Sequence, residues 1–507
     1  ISSLQEGLLC FDENGKFLRT YEISLDINAS DSYKVNCIQN IDGDIWIGAG
    51  SNLLSRLDER TEAIDNYSGS AFNFGAVHCL LKYTDKELLV GTDNGLYLFD
   101  QNTNTFQRAD NPADPRSLSD QTINGMMWDA EGALWVLTNL GGINYMSKQT
   151  KRFDYYSPAY LSGVPGAGEV VAPFCENKDG NIWIGTQSGL YFFNVATREL
   201  SPYAIGTKNQ KYDIRSLMLD GDYLWIGTYA GGIRVINLRT GAVKAYTHSR
   251  GIPNTICSND VLCIYKGRKG EIYVGTSWGL CRYDAARDNF MTITSVGSMV
   301  SVVDIYEDMY NHLWIATSNS GVFSYNTMNA HWKHYQHERE DSTTITSNSV
   351  ITLFEDTKGT MWFGTNGGGL CSFDAKEKRF IEFDPHNTLL PNKVIYAIEQ
   401  DQGGDFWVSS NAGIFKINPV TKDHFRQFTI NDGLQGNQFI ARSSLKSSEG
   451  KLYFGGINGF NVFQPEQFVD NKYIPPVYVT DIRLPYQTDE QEVKKLLQLD
   501  KPLYMIR

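Results

Sequence analysis

The chain has 507 residues, a formal net charge of −13, 41% hydrophobic and 20% charged residues. One hydrophobic core stops growing near about 250 to 300 residues, so a single-domain protein is excluded and two or three domains are expected. The negative charge excludes a nucleic-acid partner, which needs clustered Lys and Arg, and no apolar run reaches the roughly 18 to 20 residues of a membrane span.

Aromatics at 13% and 46 glycines favour strands joined by tight turns. Along the chain one unit recurs: DGDIWIGAGSNLLSRLD (42–58), KELLVGTDNGLYLFD (86–100), EGALWVLTNLGGINYM (131–146), DGNIWIGTQSGLYFFN (179–194) and GDYLWIGTYAGGIRVIN (221–237). It continues with GEIYVGTSWGLCRYD (270–284), NHLWIATSNSGVFSYN (311–326), GTMWFGTNGGGLCSFD (359–374), GDFWVSSNAGIFKIN (404–418) and GKLYFGGINGFNVF (450–463). A large residue marks each unit, at Trp46, Leu89, Trp135, Trp183, Trp225, Tyr273, Trp314, Trp362, Trp407 and Tyr453, at spacings of 41 to 48 residues. GLLCFDENGKF (7–17) matches the end of one more repeat, so the chain is expected to begin inside a unit.

Within a unit, 349–355 alternates as an inner strand; MWFGT, LCSFD and KRFIEF follow as three more strands, with glycines 367–369 supplying φ > 0 in a tight turn. Four antiparallel strands every 40 to 45 residues or so, with a Gly-Trp signature, are the pattern of a β-propeller blade. A helical solenoid would need a period of about 3.6 residues, which these Gly-, Thr-, Tyr- and Val-rich units lack. One ring usually holds about 4 to 8 blades, so ten units and a fragment require two rings. The expected fold class is all-β: two tandem β-propellers, the second seven-bladed and the first incomplete, followed by the start of a β-sandwich. Residues 1–160 are read as the C-terminal blades of the first propeller and 161–470 as the second, with LSGVPGAGEVV (161–171) as the junction; 471–507 is read as the sandwich start.

These residues resemble a known family. The unit D-x-x-G-x-[LI]-W-[IV]-G-T-x-x-G-G-[LI] is similar to the regulator-propeller repeat in the periplasmic sensor region of Bacteroides-type hybrid two-component systems. NDGLQGNQFIARSSLKSSEGKLYFGGINGFNVFQPEQF (431–468) resembles the family's closing blade, and IPPVYVTDIRL (474–484) the opening strand of the Y_Y_Y domain that leads to the membrane. Against the family's usual fourteen blades, three are absent, and the sandwich stops at Arg507. The resemblance implies a ligand-sensing extracytoplasmic region, tethered to the membrane in its full-length form, homodimeric through the Y_Y_Y region, and signalling to a histidine kinase outside this chain. It also implies an oligosaccharide ligand from glycan breakdown, held on a propeller face near the junction of the rings.

No catalytic residues, cofactor or metal are expected. His331, His334 and His337 form an HxxHxxH run, but residues i and i+3 of a strand diverge. Asp42, Asp44, Asp179, Glu355 and Asp356 sit in turns, where Asp usually bonds its own backbone. The eight cysteines, including Cys37, Cys79 and Cys263 in inner strands and Cys281 and Cys371 in third strands, read as unpaired core thiols because equivalent sites in different blades lie too far apart to bridge. Ligand contacts are expected at the tips between second and third strands: Tyr229, Trp278, Asn319, Asn366 and Asn411 in the second ring, Asn139 and Asn94 in the first. Aromatic faces and amides suit a neutral sugar better than a highly sulfated one. The competing classes are a secreted propeller glycosidase or lyase, which needs convergent carboxylates, and a protein-interaction scaffold. The closing blade and 474–484 favour the sensor.

Overall fold

Each letter of the repeated sequence has a structural task in the computed structural model, which describes residues 2–468 apart from 4–6, 22, 24–33, 51, 59, 69–72, 111–116, 147–152, 159–169, 207–210, 298, 385–389 and 423–424. The representative unit comprises Val350–Glu355, Met361–Thr365, Leu370–Asp374 and Arg379–Glu382, paired in sequence order as one antiparallel sheet. The Trp of the second strand lies under the next unit: Trp314 packs against Phe363 and Phe373 at ring-centroid distances of 5.3 and 5.1 Å. Burying an indole in this way removes roughly 150–250 Å² from water, the largest single contribution a side chain makes to such a core.

The Gly two residues later has a steric reason. A Cβ on Gly364 would stand 2.6 Å from Thr352 Cγ2 and 2.8 Å from Ile395 Cγ2 of the next unit; on Gly275 it would stand 2.4 Å from Cys263 Sγ. The Thr that follows closes the turn, as Thr365 Oγ1 donates to Gly369 O and Thr317 Oγ1 to Gly321 O, at 2.8 and 2.7 Å.

Inner strands share a second feature that the sequence does not announce. Register slips after the first residue of each, as between Val261 and Cys263, Val302 and Asp304, or Val350 and Thr352. A bulge of this kind raises local twist and re-aims a side chain. The re-aimed residue bonds the neighbouring unit: Ser216 Oγ accepts from Ile264 N–H at 2.9 Å, and Asp304 Oδ2 accepts from Leu353 N–H at 2.9 Å.

Seven units close on themselves. Their inner strands are Val171–Glu176, Ile214–Asp220, Val261–Lys266, Val302–Glu307, Val350–Glu355, Ile395–Gln400 and Phe439–Lys446, here blades one to seven. Each packs against the next, and the seventh packs against the first. Ser443 Oγ donates to Val171 O at 3.0 Å, and Ser448 bonds the Glu176 carboxylate through its N–H and hydroxyl at 2.8 and 2.6 Å. The outermost strand of blade seven is Asp154–Tyr156, paired with Gly459–Phe463. That strand falls within the 1–160 segment read from sequence as first propeller, yet its hydrogen bonds put it in the ring. The expected junction at 161–171 lies mostly outside the described residues, as does all of 471–507.

Before the ring stand four further sheets, spanning 2–21, 35–68, 77–108 and 123–146, the first and last three-stranded among the described residues. The described residues are therefore all-β, with a seven-bladed propeller preceded by an incomplete one. In the 123–146 sheet Trp135 is 38% exposed and Leu137, at the place of the repeat's Gly, is 46% exposed. Leu fits there because no following inner strand packs on it among the described residues.

Candidate functional site

The inner strands begin, and the second strands end, on one face of the ring, here the turn face. It collects the connectors between blades together with the turns closed by the repeat's Thr. Beyond that Thr the chain turns outward: Tyr229, directly after Thr228, is 57% exposed, and Trp278, two residues after Thr276, is 60% exposed.

Tyr229 and Trp278 belong to adjacent blades, and a polar strip joins them. Tyr229 N–H donates to Asp213 O at 2.8 Å, and the Arg215 guanidinium lies 5.5 Å from the Tyr229 ring centroid. Arg215 Nη2 also pairs with Asp213 Oδ2 at 2.7 Å. Across the blade boundary stands Asp260. Burial pushes its carboxyl above the usual range and Asp213 adds to this, while Arg215 and a hydrogen bond from Ser277 oppose it. Ser277 Oγ meets Ser258 Oγ at 3.0 Å, and Trp278 N–H donates to Thr276 Oγ1 at 3.2 Å. Two buried atoms in the strip have no partner among the described residues, the donor Arg215 Nε and the acceptor Asp260 Oδ1. Buried polar atoms are nearly always paired, so this orphan donor and orphan acceptor leave unmet hydrogen-bonding capacity on the face that carries the two exposed rings.

The other expected contacts are dispersed. Asn319, Asn366 and Asn411 stand on the same face in blades four, five and six. Asn411 Oδ1 is engaged by Tyr396 OH at 2.6 Å and Asn319 Oδ1 by Ser320 Oγ at 3.3 Å. Asn366 forms an isolated bridge with Val394. Asn139 lies in the sheet before the ring, its Oδ1 taking Asn124 Nδ2 at 3.4 Å, and Asn94 Nδ2 donates to Asn73 O at 3.0 Å. Tyr229 and Trp278 stand at the two ends of the Asp213–Arg215–Asp260–Ser277 strip, while the asparagines take other partners. Asp213, Arg215 and Asp260 escaped sequence reasoning because they stand at strand starts rather than turn tips; a scan for charged residues flanking the first inner-strand position would have found them.

The cysteine reading needs correction. Cys257 and Cys281 form a disulfide with Cα atoms 6.4 Å apart, while six others are free. The bridge runs within one blade, from the connector to the third strand, so the distance between equivalent sites of different blades does not bear on it. It fastens the connector that carries Ser258 and Asp260. The three histidines of the HxxHxxH run take separate partners: His334 stacks on Phe323 with centroids 3.9 Å apart, His337 Nδ1 meets Ile345 O at 2.7 Å, and His331 is exposed.

A second depression, about 830 Å³, is lined by Tyr83, Arg108, Asp110 and Tyr145 of the sheets before the ring and by Ile430 and Asn431. None of the residues expected from sequence lines it.

With the geometry described, residues 344–367 match the family described as two component regulator propeller. One unit of the ring thus matches a two component regulator propeller repeat. The matched segment contains the inner strand, second strand and turn of blade five, and the other units of the ring repeat its pairing. Over 365 residues the chain is 27% identical to histidine kinase P4 of Formosa agariphila, covering 69% of this chain and 25% of that protein. The extracellular domain of the hybrid two component system BT4673 from B. thetaiotaomicron superposes with a TM-score of 0.52 at 23% identity, over 93% of this chain and 63% of that one. A second crystal structure of the BT4673 extracellular domain gives 0.50 at 22% identity, over 91% and 62%. The chain thus spans a quarter of the curated relative and under two thirds of the solved domains.

Proposed function

We propose that this regulator propeller is the ligand-reading, extracytoplasmic part of a hybrid two-component regulator, recognising an oligosaccharide from glycan breakdown. The observation that carries the reading is the pair Tyr229 and Trp278 bracketing the unpartnered Arg215 Nε and Asp260 Oδ1. A pyranose offers C–H faces to aromatic rings and hydroxyls that both donate and accept, which is what this strip lacks. In this reading residues up to about 150 are the last blades of one propeller, 153–468 are the second ring, and 471–507 opens a Y_Y_Y sandwich through which two copies pair. The output is a histidine kinase across the membrane, placing the chain in the periplasm.

The chain itself binds without catalysis. A glycosidase needs a free acid and a free base, whereas Asp213 is neutralised by Arg215 at 2.7 Å. Calorimetric titration of the chain with a panel of glycan-derived oligosaccharides tests the reading. Saturable binding with no release of reducing ends or unsaturated products supports it; turnover abolished by Asp260→Asn overturns it in favour of an enzyme.

A further inference from the structure

Arg442 occupies an unusual place in blade seven. It is a non-glycine residue at φ 58° inside a strand, where register slips between Phe439 and Ser444. An αL residue other than Gly, Asn or Asp is uncommon and costs on the order of 1–3 kcal/mol, so such strain clusters where a side chain must be aimed. The next residue, Ser443, faces outward to bond Val171 of blade one.

The destination of the guanidinium follows from the circuit. Its charge acts on Asp304 in blade four and on Cys263 in blade three. Counting round the ring in either direction, those are the two blades farthest from blade seven. Arg442 stands on an inner strand at the wall of the central channel, and those are the blades that face it across that channel. No hydrogen bond or ion pair engages the Arg442 guanidinium among the described residues. Among the described residues no ion pair joins it to Asp304, whose oxygens accept from Ile305 and Leu353 N–H at 3.0 and 2.9 Å.

Arg215 holds the equivalent bulge position in blade two. Between the two arginines, blade one has Ala172 and Pro173 at its slip, so no third charged side chain stands between them. We propose that the mouth of the ring's central channel is an acidic-sugar subsite, in which Arg442 takes the carboxylate of a uronic acid residue and the Arg215–Asp260 strip meets its hydroxyls. This rests on the oligosaccharide reading and sharpens it. One unpaired guanidinium matches one carboxylate in bidentate geometry, whereas Asp213, Asp260 and Asp304 around the mouth repel a densely sulfated chain. The neutral ligand expected from the turn tips is replaced because Arg442 lies in a strand, where a survey of tips does not look.

The test uses calorimetry on the chain with trisaccharides of galacturonate, mannuronate, guluronate and glucuronate, each beside its carboxyl-reduced neutral counterpart. At least one uronate should bind, with carboxyl reduction and Arg442→Asn each weakening it by about tenfold or more, and Arg442→Lys falling between because it loses bidentate geometry. Asn is chosen since it tolerates αL backbone, and an unchanged melting temperature confirms folding. Raising NaCl from about 50 to about 500 mM should weaken the uronate selectively. Equal binding of a sugar and its reduced form, or a parent-like uronate affinity in Arg442→Asn, overturns the acidic subsite while the oligosaccharide reading stands. Binding of neither kind removes both.

Discussion

Trp314 Nε1 donates to Asp308 Oδ2 at 2.8 Å, six residues back, while Asp308 Oδ1 accepts from the backbone of Tyr310 and His312 at 2.9 and 2.8 Å. Asp356 with Trp362 and Asp401 with Trp407 repeat the arrangement at 2.9 and 3.0 Å. The opening Asp of the repeat is thus a two-sided clasp, one oxygen for the turn and one for the indole. Blade one breaks it. Asn177 Oδ1 accepts from Asp179 and Asn181 N–H at 2.9 Å, but its other terminus is an NH₂ donor, and Trp183 Nε1 is left buried without a partner. Asn177→Asp should therefore stabilise the chain by about 1–2 kcal/mol, and Asp356→Asn should cost a similar amount. Urea denaturation reads both; no gain in the first means that the indole has another acceptor.

Cys257 and Cys281 correspond in register to Thr346 and Cys371 of blade five, where the Cys371 thiol lies beside Thr346 and burial pushes it up to about 11. Closing a segment of 24 residues in the unfolded chain contributes about 3 kcal/mol, so Cys257→Ser with Cys281→Ser should lower the unfolding midpoint accordingly. Thr346→Cys should create a second bridge in the equivalent geometry. Thiol titration under denaturing conditions checks both: the parent gives six free thiols, and Thr346→Cys gives five.

Glu399 carries a pH signature. Desolvation raises its carboxyl to about 7, against the opposing Ser444 Oγ bond at 2.8 Å and the charge of Lys446; Asp304, likewise desolvated, is raised to about 6. A raised carboxyl pKa means that the folded chain binds more protons than the unfolded one. Its stabilising effect is complete below the unfolded value, near 4.3 for Glu, and is lost as pH rises through about 7. Asp288, lowered to about 2 by Lys244 and two tyrosine hydroxyls, acts only below that window. Glu399→Gln should flatten the fall in melting temperature between about pH 5 and pH 8. Parallel slopes for parent and variant would show that Glu399 ionises freely.

Most of the fold was legible because a propeller repeats its physics. Trp362, Gly364 and Thr365 each have one task in one unit, and a task repeated ten times leaves a mark in sequence that no single unit could. What stayed hidden is what happens between units. The register slip at each inner-strand start has no residue signature, since Ser216, Cys263, Asp304 and Thr352 all fill the re-aimed position. Strand Asp154–Tyr156 was misplaced because outer strands are short and weakly patterned, and its partner lies about 300 residues away. The site was half legible for the same reason: Tyr229 and Trp278 stand at positions that the period fixes, but Asp260 and Arg442 matter through neighbours that only ring closure supplies.

The ligand contacts give the last prediction. Tyr229 and Trp278 are exposed rings on adjacent blades whose sequence requirement is not structural: the place of Tyr229 carries Asn366 and Asn411 in other blades, and the place of Trp278, two residues after the Thr, carries Asn319 in blade four, so the turn does not need an aromatic. These two rings are therefore the stacking surfaces of the proposed saccharide site. Tyr229→Ala and Trp278→Ala should each weaken saccharide binding by roughly 1–2 kcal/mol and leave the melting temperature unchanged, because neither ring is part of a blade interface. If one sugar spans both rings, the double variant should lose less than the sum of the two single losses, since losing either ring already frees the ligand from the strip between them. Trp278 fluorescence adds a direct readout: bound ligand should shift its emission in the parent and in Tyr229→Ala, with the remaining tryptophans of Trp278→Ala giving no shift. If calorimetry finds both variants binding as tightly as the parent, the saccharide sits elsewhere, and the depression between Arg108, Tyr145 and Asn431 becomes the site to mutate.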